Sequence, residues 1–269
     1  QTTARYSAPI ETEQARIDSV WQRRTESLMA VDEWVGTVLD LLDARGALGE
    51  TYVVFASDNG FLLGEHRMPP ERKTIIPYRE STQLPLYIRG PGIPAGGVRA
   101  SLAATIDLAP TVLDWAGAPL PALVDGRSLA GVAADGDPTD WRSGVLVERW
   151  DINSALTYRS LIGDAFAFTR WEAPDFTEYY DHLADPFELV SRADALSGED
   201  RENLQAAMLG LAGCAGAGCR TADRAVAVEP PVEPSTGAEF PIGRPFPNPT
   251  GGWVQIPVSS GVGSGLTVE

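Results

Sequence analysis

The sequence has few of the residues on which many well-known enzyme sites depend. It holds only two cysteines and two histidines among 269 residues. It has no Gly-x-Ser-x-Gly elbow, no Walker loop, no His/Cys cluster with zinc spacing and no dinucleotide-binding fingerprint. The residues given therefore exclude an active site built on any of these four motifs.

Positive charge is also scarce. There are 21 Lys and Arg residues against 37 Asp and Glu residues, which gives a formal net charge of −16. Such an acidic surface disfavours nucleic acid as a partner. It does not exclude an anionic substrate, because a bound cation can invert the local charge. No apolar run reaches the length of a membrane span, so no span is predicted.

The first half of the chain has the pattern of an α/β protein. Apolar residues recur at three- and four-residue steps over residues 12–45 and predict a helix. Residues 51–56 and 84–89 read as strands, and Asp107 is expected to cap a helix over 108–116. This order predicts a mostly parallel sheet with helices on its faces. The hydrophobic content of 43% is enough for a sizeable core.

The second half of the chain has a different pattern after Pro138. Three short strands are expected at 145–148, 158–162 and 165–170, followed by a helix at 199–211. These strands predict a small antiparallel subdomain. The expected units are a catalytic-domain segment at 1–140, the subdomain at 141–220, a linker at 221–245 and the start of another domain at 246–269. The absence of an initiator Met at Gln1 and the abrupt end after Glu269 indicate a piece of a longer reading frame.

The two cysteines lie close together in the sequence. Cys214 and Cys219 are separated by alanine and glycine alone, which lets a small disulfide loop close. Two cysteines rarely form a complete metal site, so a disulfide is the favoured interpretation. The alternative is a pair of reduced thiols in a flexible loop.

The most informative residues follow the first predicted strand. Asp58 offers a carboxylate oxygen and Asn59 an amide oxygen, which are ligands suited to Ca²⁺ or Mg²⁺. In α/β proteins such ligands gather at the carboxyl ends of strands. The alternative is an ordinary Asx turn that ends the strand.

Lys73 and His66 lie in the loop after Asp58 and Asn59. A lysine ammonium suits an anionic oxygen, and a histidine can donate a hydrogen bond or move a proton near neutral pH. Both are therefore candidates for the same cleft. The alternatives are a solvated loop lysine and a surface histidine. The other histidine, His182, is expected to be structural.

Several segments, in the same order, resemble the C-terminal half of a type I sulfatase. The similarity covers residues 10–220 approximately. The matching segments are Ser57–Gly60, Leu63–Arg67, Lys73, Pro77–Glu80, Leu84–Gly92, Ile106–Gly117, Asp125–Leu129, Glu178–Asp181 and Asp185–Leu189. The cysteine loop and the spacing in Gly64–Arg67 are similar to the N-acetylglucosamine-6-sulfatase-like branch.

The resemblance implies an alkaline-phosphatase-like α/β/α sandwich that hydrolyses a sulfate ester, with a sulfated small molecule or glycan as substrate. It implies that Asp58 and Asn59 are two ligands of one divalent cation, usually Ca²⁺. It also implies that Lys73 binds a sulfate oxygen and that His66 lines the pocket. A cation and a lysine at the sulfuryl oxygens supply the electrostatic stabilisation that this reaction needs.

The sequence departs from the family pattern in several places. The family's formylglycine nucleophile comes from a Cys/Ser-x-Pro-x-Arg motif, which does not occur here. The motif and a further Asp-Asp metal pair are expected upstream. The chain by itself is therefore predicted to be inactive. Arg79 also replaces an acidic residue expected after Tyr78.

The tail has a separate resemblance. Residues Phe246–Gly251 are similar to the opening of a type IX secretion sorting domain, a small β-sandwich, and the alternative is a disordered proline-rich tail. The sorting resemblance implies a secreted or cell-surface bacterial protein. Two other functions compete with the sulfatase hypothesis: a phosphodiesterase or phosphonate hydrolase of the same superfamily, and a non-catalytic module that binds sulfated glycans.

Overall fold

The computed structural model describes residues 10–68, 76–224, 254–255 and 258–259. Lys73 and the tail motif at 246–251 lie outside the described residues. The helices are α1 Ile10–Ala44, α2 Arg79–Thr82, α3 Leu108–Trp115, α4 Ala130–Asp135, α5 Gly198–Ala212 and α6 Cys219–Ala222. The strands are β1 Val53–Ala56, β2 Gln83–Leu84, β3 Leu86–Arg89, β4 Gly97–Val98, β5 Val145–Trp150, β6 Leu156–Ile162, β7 Phe166–Glu172, β8 Asp175–Asp181, β9 Val254–Gln255 and β10 Val258–Ser259.

The first sheet contains β1, β3, β9 and β4 in that order. Strand β1 pairs antiparallel with β3, with Val53 opposite Arg89 and Ala56 opposite Leu86. Strand β9 is antiparallel to β3 and parallel to β4. The prediction of a mostly parallel sheet is therefore wrong for this part of the chain. Strand β3 begins at the same end of the sheet at which β1 stops. A parallel pair would need a connection that crosses to the opposite end of the strands.

The small subdomain is a four-stranded antiparallel meander of β5, β6, β7 and β8. Strands β5 and β6 include predicted segments, β7 overlaps the third and begins one residue later, and β8 was not predicted. Helix α5 packs on the sheet and contributes Leu204 and Met208 to a core with Leu161, Phe168 and Tyr179. Ser197 caps this helix by accepting a hydrogen bond from the amide of Asp200, at 3.0 Å.

Helix α1 leaves much of its apolar surface uncovered. Trp34 is 67% exposed, Trp21 59% and Leu28 57%. An open cleft of about 500 Å³ separates part of this helix from the first sheet and is lined by Leu28, Val31, Asp32, Val35, Gly36, Leu39, Phe55 and Tyr87. In the described residues, no helix is both long and apolar enough to cross a membrane.

A buried ionic network joins the two halves of the chain. Arg142 donates two hydrogen bonds to the carboxylate of Asp107, at 2.7 and 2.8 Å. The same carboxylate accepts the backbone amides of Ala104 and Arg127. Asp107 stands at the N-cap position of α3, but its side chain does not cap that helix as predicted. The carboxylate is instead taken by Arg142, because a fully buried charge requires a partner of opposite sign.

The C-terminal end of the described chain completes this network. The Asp223 carboxylate accepts a hydrogen bond from Arg127 Nε at 2.9 Å, and the Asp223 carbonyl accepts the Ser143 amide at 2.8 Å. A disulfide joins Cys214 to Cys219, whose Cα atoms are 5.0 Å apart. Folded structure thus continues past residue 220, where a linker is predicted to begin. The predicted domain limits stay predictions.

Candidate functional site

The Asp58-Asn59-Gly60 turn directly follows β1. Asp58 is exposed and Asn59 half-buried. The Asn59 side-chain amide donates to the Gly60 carbonyl at 2.7 Å, and the Ser57 hydroxyl donates to the Asn59 carbonyl at 3.0 Å. The turn is therefore held by its own polar groups. Within the described residues, the Asp58 carboxylate makes no hydrogen bond and Asn59 Oδ1 accepts none.

Gly60 brings this turn against helix α2. Its amide donates to the Ser81 carbonyl at 3.2 Å, and the Phe61 amide donates to the Glu80 carbonyl at 3.0 Å. A Cβ atom at Gly60 would lie 1.8 Å from the Glu80 carbonyl oxygen. Only glycine permits such a close backbone approach. Helix α2 therefore fixes the start of the loop that follows Asn59.

His66 lies further along the same loop and contacts α2 with its side chain. Its Nε2 is 3.1 Å from Glu80 Oε2, and its ring stacks on Tyr78 with centroids 3.9 Å apart and planes 17° apart. The side chain is only 9% exposed. His66 has a left-handed backbone, with φ 53°. This conformation is uncommon outside glycine and persists when the surrounding contacts require it.

The segment Tyr78–Glu80 is held from the other side by two carboxylates of the small subdomain. The Tyr78 hydroxyl donates to Glu178 Oε1 at 3.3 Å, and the Arg79 amide donates to Glu188 Oε2 at 2.8 Å. Each of these glutamates is 2% exposed. The second oxygen of Glu188 lies 2.8 Å from His182 Nε2. His182 is thus a buried residue that holds the Glu188 side chain.

Burial shapes the ionisation of this region. Burial lowers the pKa of the Arg79 guanidinium, and the neighbouring Glu188 and Glu80 carboxylates oppose that shift. Burial raises the pKa of the Tyr180 phenol, and the negative charge of Glu178 acts in the same direction. Tyr180 therefore remains a neutral donor, and its hydroxyl donates to Glu178 Oε1 at 3.1 Å.

Three of the predicted site residues are connected through helix α2. The turn that contains Asp58 and Asn59 is bonded to the α2 backbone, and His66 is bonded to the Glu80 side chain. Lys73 lies outside the described residues. In the described ranges, no three His, Cys, Asp or Glu side chains come together as a metal site. Asp58 and Asn59 are compatible with a role as two hard oxygen ligands, because neither the Asp58 carboxylate nor Asn59 Oδ1 accepts a hydrogen bond among the described residues.

Sequence reasoning missed Glu80, Glu178 and Glu188 as parts of the site region. Glu178 and Glu188 lie about 100 residues after Tyr78 and Arg79, so no local pattern connects them. Glu80 is only 14 residues from His66 in the sequence. Its closeness to a candidate histidine was the one available signal.

Comparison with known protein families shows to which family the chain belongs. The sequence profile described as "Sulfatase" matches residues 1–118. The profile described as "N-sulphoglucosamine sulphohydrolase, C-terminal" matches residues 64–209, which is more than half of the chain. The chain belongs to the sulfatase family. The recognition made from the Asp58 turn and the later motifs is confirmed.

Curated relatives of this sulfatase-family chain include two N-acetylglucosamine sulfatases. N-acetylglucosamine-6-sulfatase of Bos taurus is 29% identical over 238 residues, which cover 76% of this chain and 42% of the relative. N-acetylglucosamine-6-O-sulfatase of Bacteroides thetaiotaomicron is 34% identical over 170 residues, which cover 61% of this chain and 30% of the relative. The chain thus spans less than half the length of these relatives.

Solved structures agree on the fold. A protein in complex with its substrate D-glucosamine-2-N,6-O-disulfate superposes with a TM-score of 0.63 at 28% identity, over 74% of this chain and 40% of that one. A phosphonate monoester hydrolase from Silicibacter pomeroyi gives a TM-score of 0.54 at 26% identity, over 65% of this chain and 37% of that one. The α/β prediction and its sulfatase-like fold are therefore confirmed.

Proposed function

We propose that this protein is the C-terminal part of a sulfatase that hydrolyses sulfate esters of amino sugars. The observation that carries the proposal is a sulfatase-family chain in which two hard oxygen donors at a strand end connect through α2 to a histidine. The names of the relatives and the disulfated glucosamine in one matching structure support the substrate class.

The residues of this chain supply binding and charge in that reaction. Asp58 and Asn59 would hold a divalent cation, Ca²⁺ or Mg²⁺, which neutralises negative charge on the sulfate ester when bound. Lys73 would contact a sulfuryl oxygen as a compact positive charge. It is the only lysine of the chain, so no other ammonium side chain here is available for that part. The formylglycine nucleophile would come from upstream sequence.

The uncovered face of α1 supports a place within a larger domain. Soluble proteins rarely leave several large apolar side chains exposed on one helix without a partner surface. Because the chain spans 42% of the bovine relative, the expected occupant is the N-terminal part of the same catalytic domain. Burying Trp34, Leu28 and their neighbours there would also close the open cleft beside the first sheet.

Secretion is part of the proposal. A disulfide between Cys214 and Cys219 persists in an oxidising compartment. Relatives also include a protein named putative extracellular sulfatase Sulf-1 homolog in Caenorhabditis elegans, 33% identical over 140 residues, 49% of this chain and 20% of the relative. The sorting-domain resemblance of Phe246–Gly251 stays a prediction.

The test uses the polypeptide encoded by the complete reading frame that contains this chain. Sulfate release from 6-O-sulfated N-acetylglucosamine is measured with and without a chelator. We expect Asp58→Ala and Lys73→Ala each to lower kcat/KM by about 10²–10³-fold, because each removes charge stabilisation of the transition state. Asp175→Ala is the control, since its carboxylate is 73% exposed on the far hairpin.

Near-wild-type rates in either site variant would contradict the assignment. A matching phosphonate monoester hydrolase gives the second candidate function. Faster turnover of a phosphonate monoester than of the sulfate ester would favour it. The 269-residue chain alone is expected to be inactive on both substrates. Tight binding of a sulfated glycan by that isolated chain would favour the non-catalytic alternative, which the net charge of −16 opposes.

A further inference from the structure

We propose that Glu80 is a positioning residue that holds the His66 ring with Nε2 turned inward, so that Nδ1 is the nitrogen offered to the sulfate ester. This inference rests on the proposed function for the identity of the ligand. The orientation of the ring rests on the structure alone, and it can be measured separately.

The hydrogen bond between these residues defines where the ring proton lies. His66 Nε2 is 3.1 Å from Glu80 Oε2. An ionised carboxylate has no proton to donate and can only accept. Nε2 must therefore carry a hydrogen, whether the ring is neutral or charged. Nδ1 then remains as the second polar atom, and it has no hydrogen-bond partner among the described residues.

The hydrogen bond to Glu80 distinguishes the two orientations that the ring can adopt in its plane. The imidazole lies against the Tyr78 ring at 3.9 Å and is 9% exposed. A half-turn of the ring would bring carbon Cε1 to the position of Nε2. The Glu80 carboxylate would then lose its hydrogen-bond donor in a half-buried place, which carries a desolvation cost. The stack on Tyr78 therefore fixes the plane of the ring, and the Glu80 hydrogen bond selects the orientation within that plane.

The two residues before Glu80 are held by the buried glutamates of the small subdomain. Glu188 accepts the amide of Arg79, the residue before Glu80, and Glu178 accepts the hydroxyl of Tyr78. The Glu80 carbonyl is bonded to the Phe61 amide. The small subdomain therefore supports the candidate site through these contacts, although it contributes no residue of the predicted site.

A purely structural ion pair is the competing interpretation of Glu80. The natural partner for such a pair is the adjacent Arg79, but the Arg79 guanidinium bonds to Gln83 Oε1 and to the Pro186 carbonyl. Within the described residues, the Glu80 side chain has His66 as its hydrogen-bond partner. Because Arg79 has other hydrogen-bond partners, the Glu80 carboxylate is available to orient the His66 ring.

The first experiment is nitrogen-15 NMR on the histidine-labelled chain. Only two histidines are present, so the His66→Gln variant assigns both ring systems. We expect a protected proton on Nε2 of His66 in the wild type and its loss in Glu80→Ala. The matched control is Glu148→Ala, a carboxylate 21% exposed against 22% for Glu80, which pairs with Arg159. The control should leave both histidines unchanged.

Two NMR results would overturn the inference. One is a His66 ring protonated at Nδ1 and bare at Nε2. The other is a protected Nε2 proton that persists in Glu80→Ala. The His182 ring, which bonds to Glu188, should keep its own signal in Glu80→Ala and report that the fold is intact.

The second experiment measures turnover in the complete polypeptide. We expect Glu80→Ala to lower kcat by about 10–100-fold, as loss of a residue that orients a ligand commonly does. Glu80→Gln should recover part of the rate, because its amide oxygen also accepts from Nε2. Adding Glu80→Ala to His66→Ala should cost nothing further, since Glu80 acts through His66.

Additive losses in that double variant would overturn the positioning role. If His66→Ala alone kept full activity, the proposed part of His66 in the reaction would fail. The NMR result would still stand in that case, so the two failures are distinguishable.

Discussion

The small antiparallel subdomain and the segment around β1 differ in how they obtain their contacts. The four strands of the subdomain follow one another in sequence and pair with their neighbours, and helix α5 closes their core. Strand β1 instead pairs with β3, some 30 residues later, and α1 leaves its apolar side chains uncovered. Within the described residues, the strands of the subdomain thus pair with their neighbours in sequence, whereas β1 pairs with a more distant strand and α1 keeps apolar side chains exposed.

The candidate site lies where these two regions meet. Asp58, Asn59 and His66 belong to the less complete region, and Glu178 and Glu188 belong to the self-contained one. Polar site residues lie on loops with few contacts of their own, so they need rigid support. In this protein Glu178 and Glu188 of the antiparallel subdomain supply that support to Tyr78 and Arg79.

The largest expected effect comes from breaking the ionic link between the regions. Asp107→Ala leaves the buried Arg142 guanidinium without its main partner. We expect a loss of about 3–5 kcal/mol in the free energy of unfolding, measured by urea denaturation. The double variant Asp107→Leu with Arg142→Met should lose much less, because no charge remains unpaired. An equal loss in both would contradict the argument.

A core substitution tests whether the subdomain is the better packed region. Leu161 is fully buried between β6 and α5, so Leu161→Ala should cost about 3 kcal/mol. The matched control, Leu28→Ala on the open face of α1, should change stability by less than about 0.5 kcal/mol in the isolated chain. The comparison between the regions fails if the two losses are equal.

The same Leu28→Ala substitution sharpens the comparison in the complete polypeptide. If the N-terminal part of the domain covers α1, Leu28 becomes buried there and its loss should rise to about 2 kcal/mol or more. Denaturation of the two proteins side by side measures the difference. An unchanged small loss would show that this face of α1 is not the covered surface.

Reduction of the disulfide should have the smallest effect of the series. A link across so short a loop removes little chain entropy from the unfolded state, about 2 kcal/mol. We expect that loss when denaturation is repeated with a reductant, and the Cys214→Ser variant should then be insensitive to the reductant. The physical reason is that Cys219 begins helix α6, so the disulfide helps to hold this helix and the following Asp223 in place.

Much of the fold could be predicted from local patterns. The period of apolar residues gave helix α1, and β-branched and apolar runs gave β1, β3 and three strands of the meander. The direction of the β1–β3 pairing could not be predicted, because the order of helices and strands does not say at which end of the sheet the next strand begins. Strand β8 was missed because its acidic residues recur at every third position, 175, 178 and 181, so that its sequence lacks the two-residue alternation of a strand.

The candidate site divides in the same way. Asp58, Asn59 and His66 could be named from residue type and position, since hard oxygen ligands and a histidine after a strand have recognisable chemistry. The partners Glu178 and Glu188 could not, because they meet Tyr78 and Arg79 across about 100 residues. The side-chain direction of Asp107 was likewise set by Arg142 and not by its place before a helix.

By itself the sequence determined the family, most elements and the chemical types gathered after β1. These follow from residue order, hydrophobic period and short motifs, which are local properties of the chain. Only the tertiary structure decided the sheet direction, the Asp107–Arg142 link and the glutamates behind His66. Those features depend on burial and on long-range hydrogen bonds, because a buried charge takes whichever partner the folded chain brings within reach.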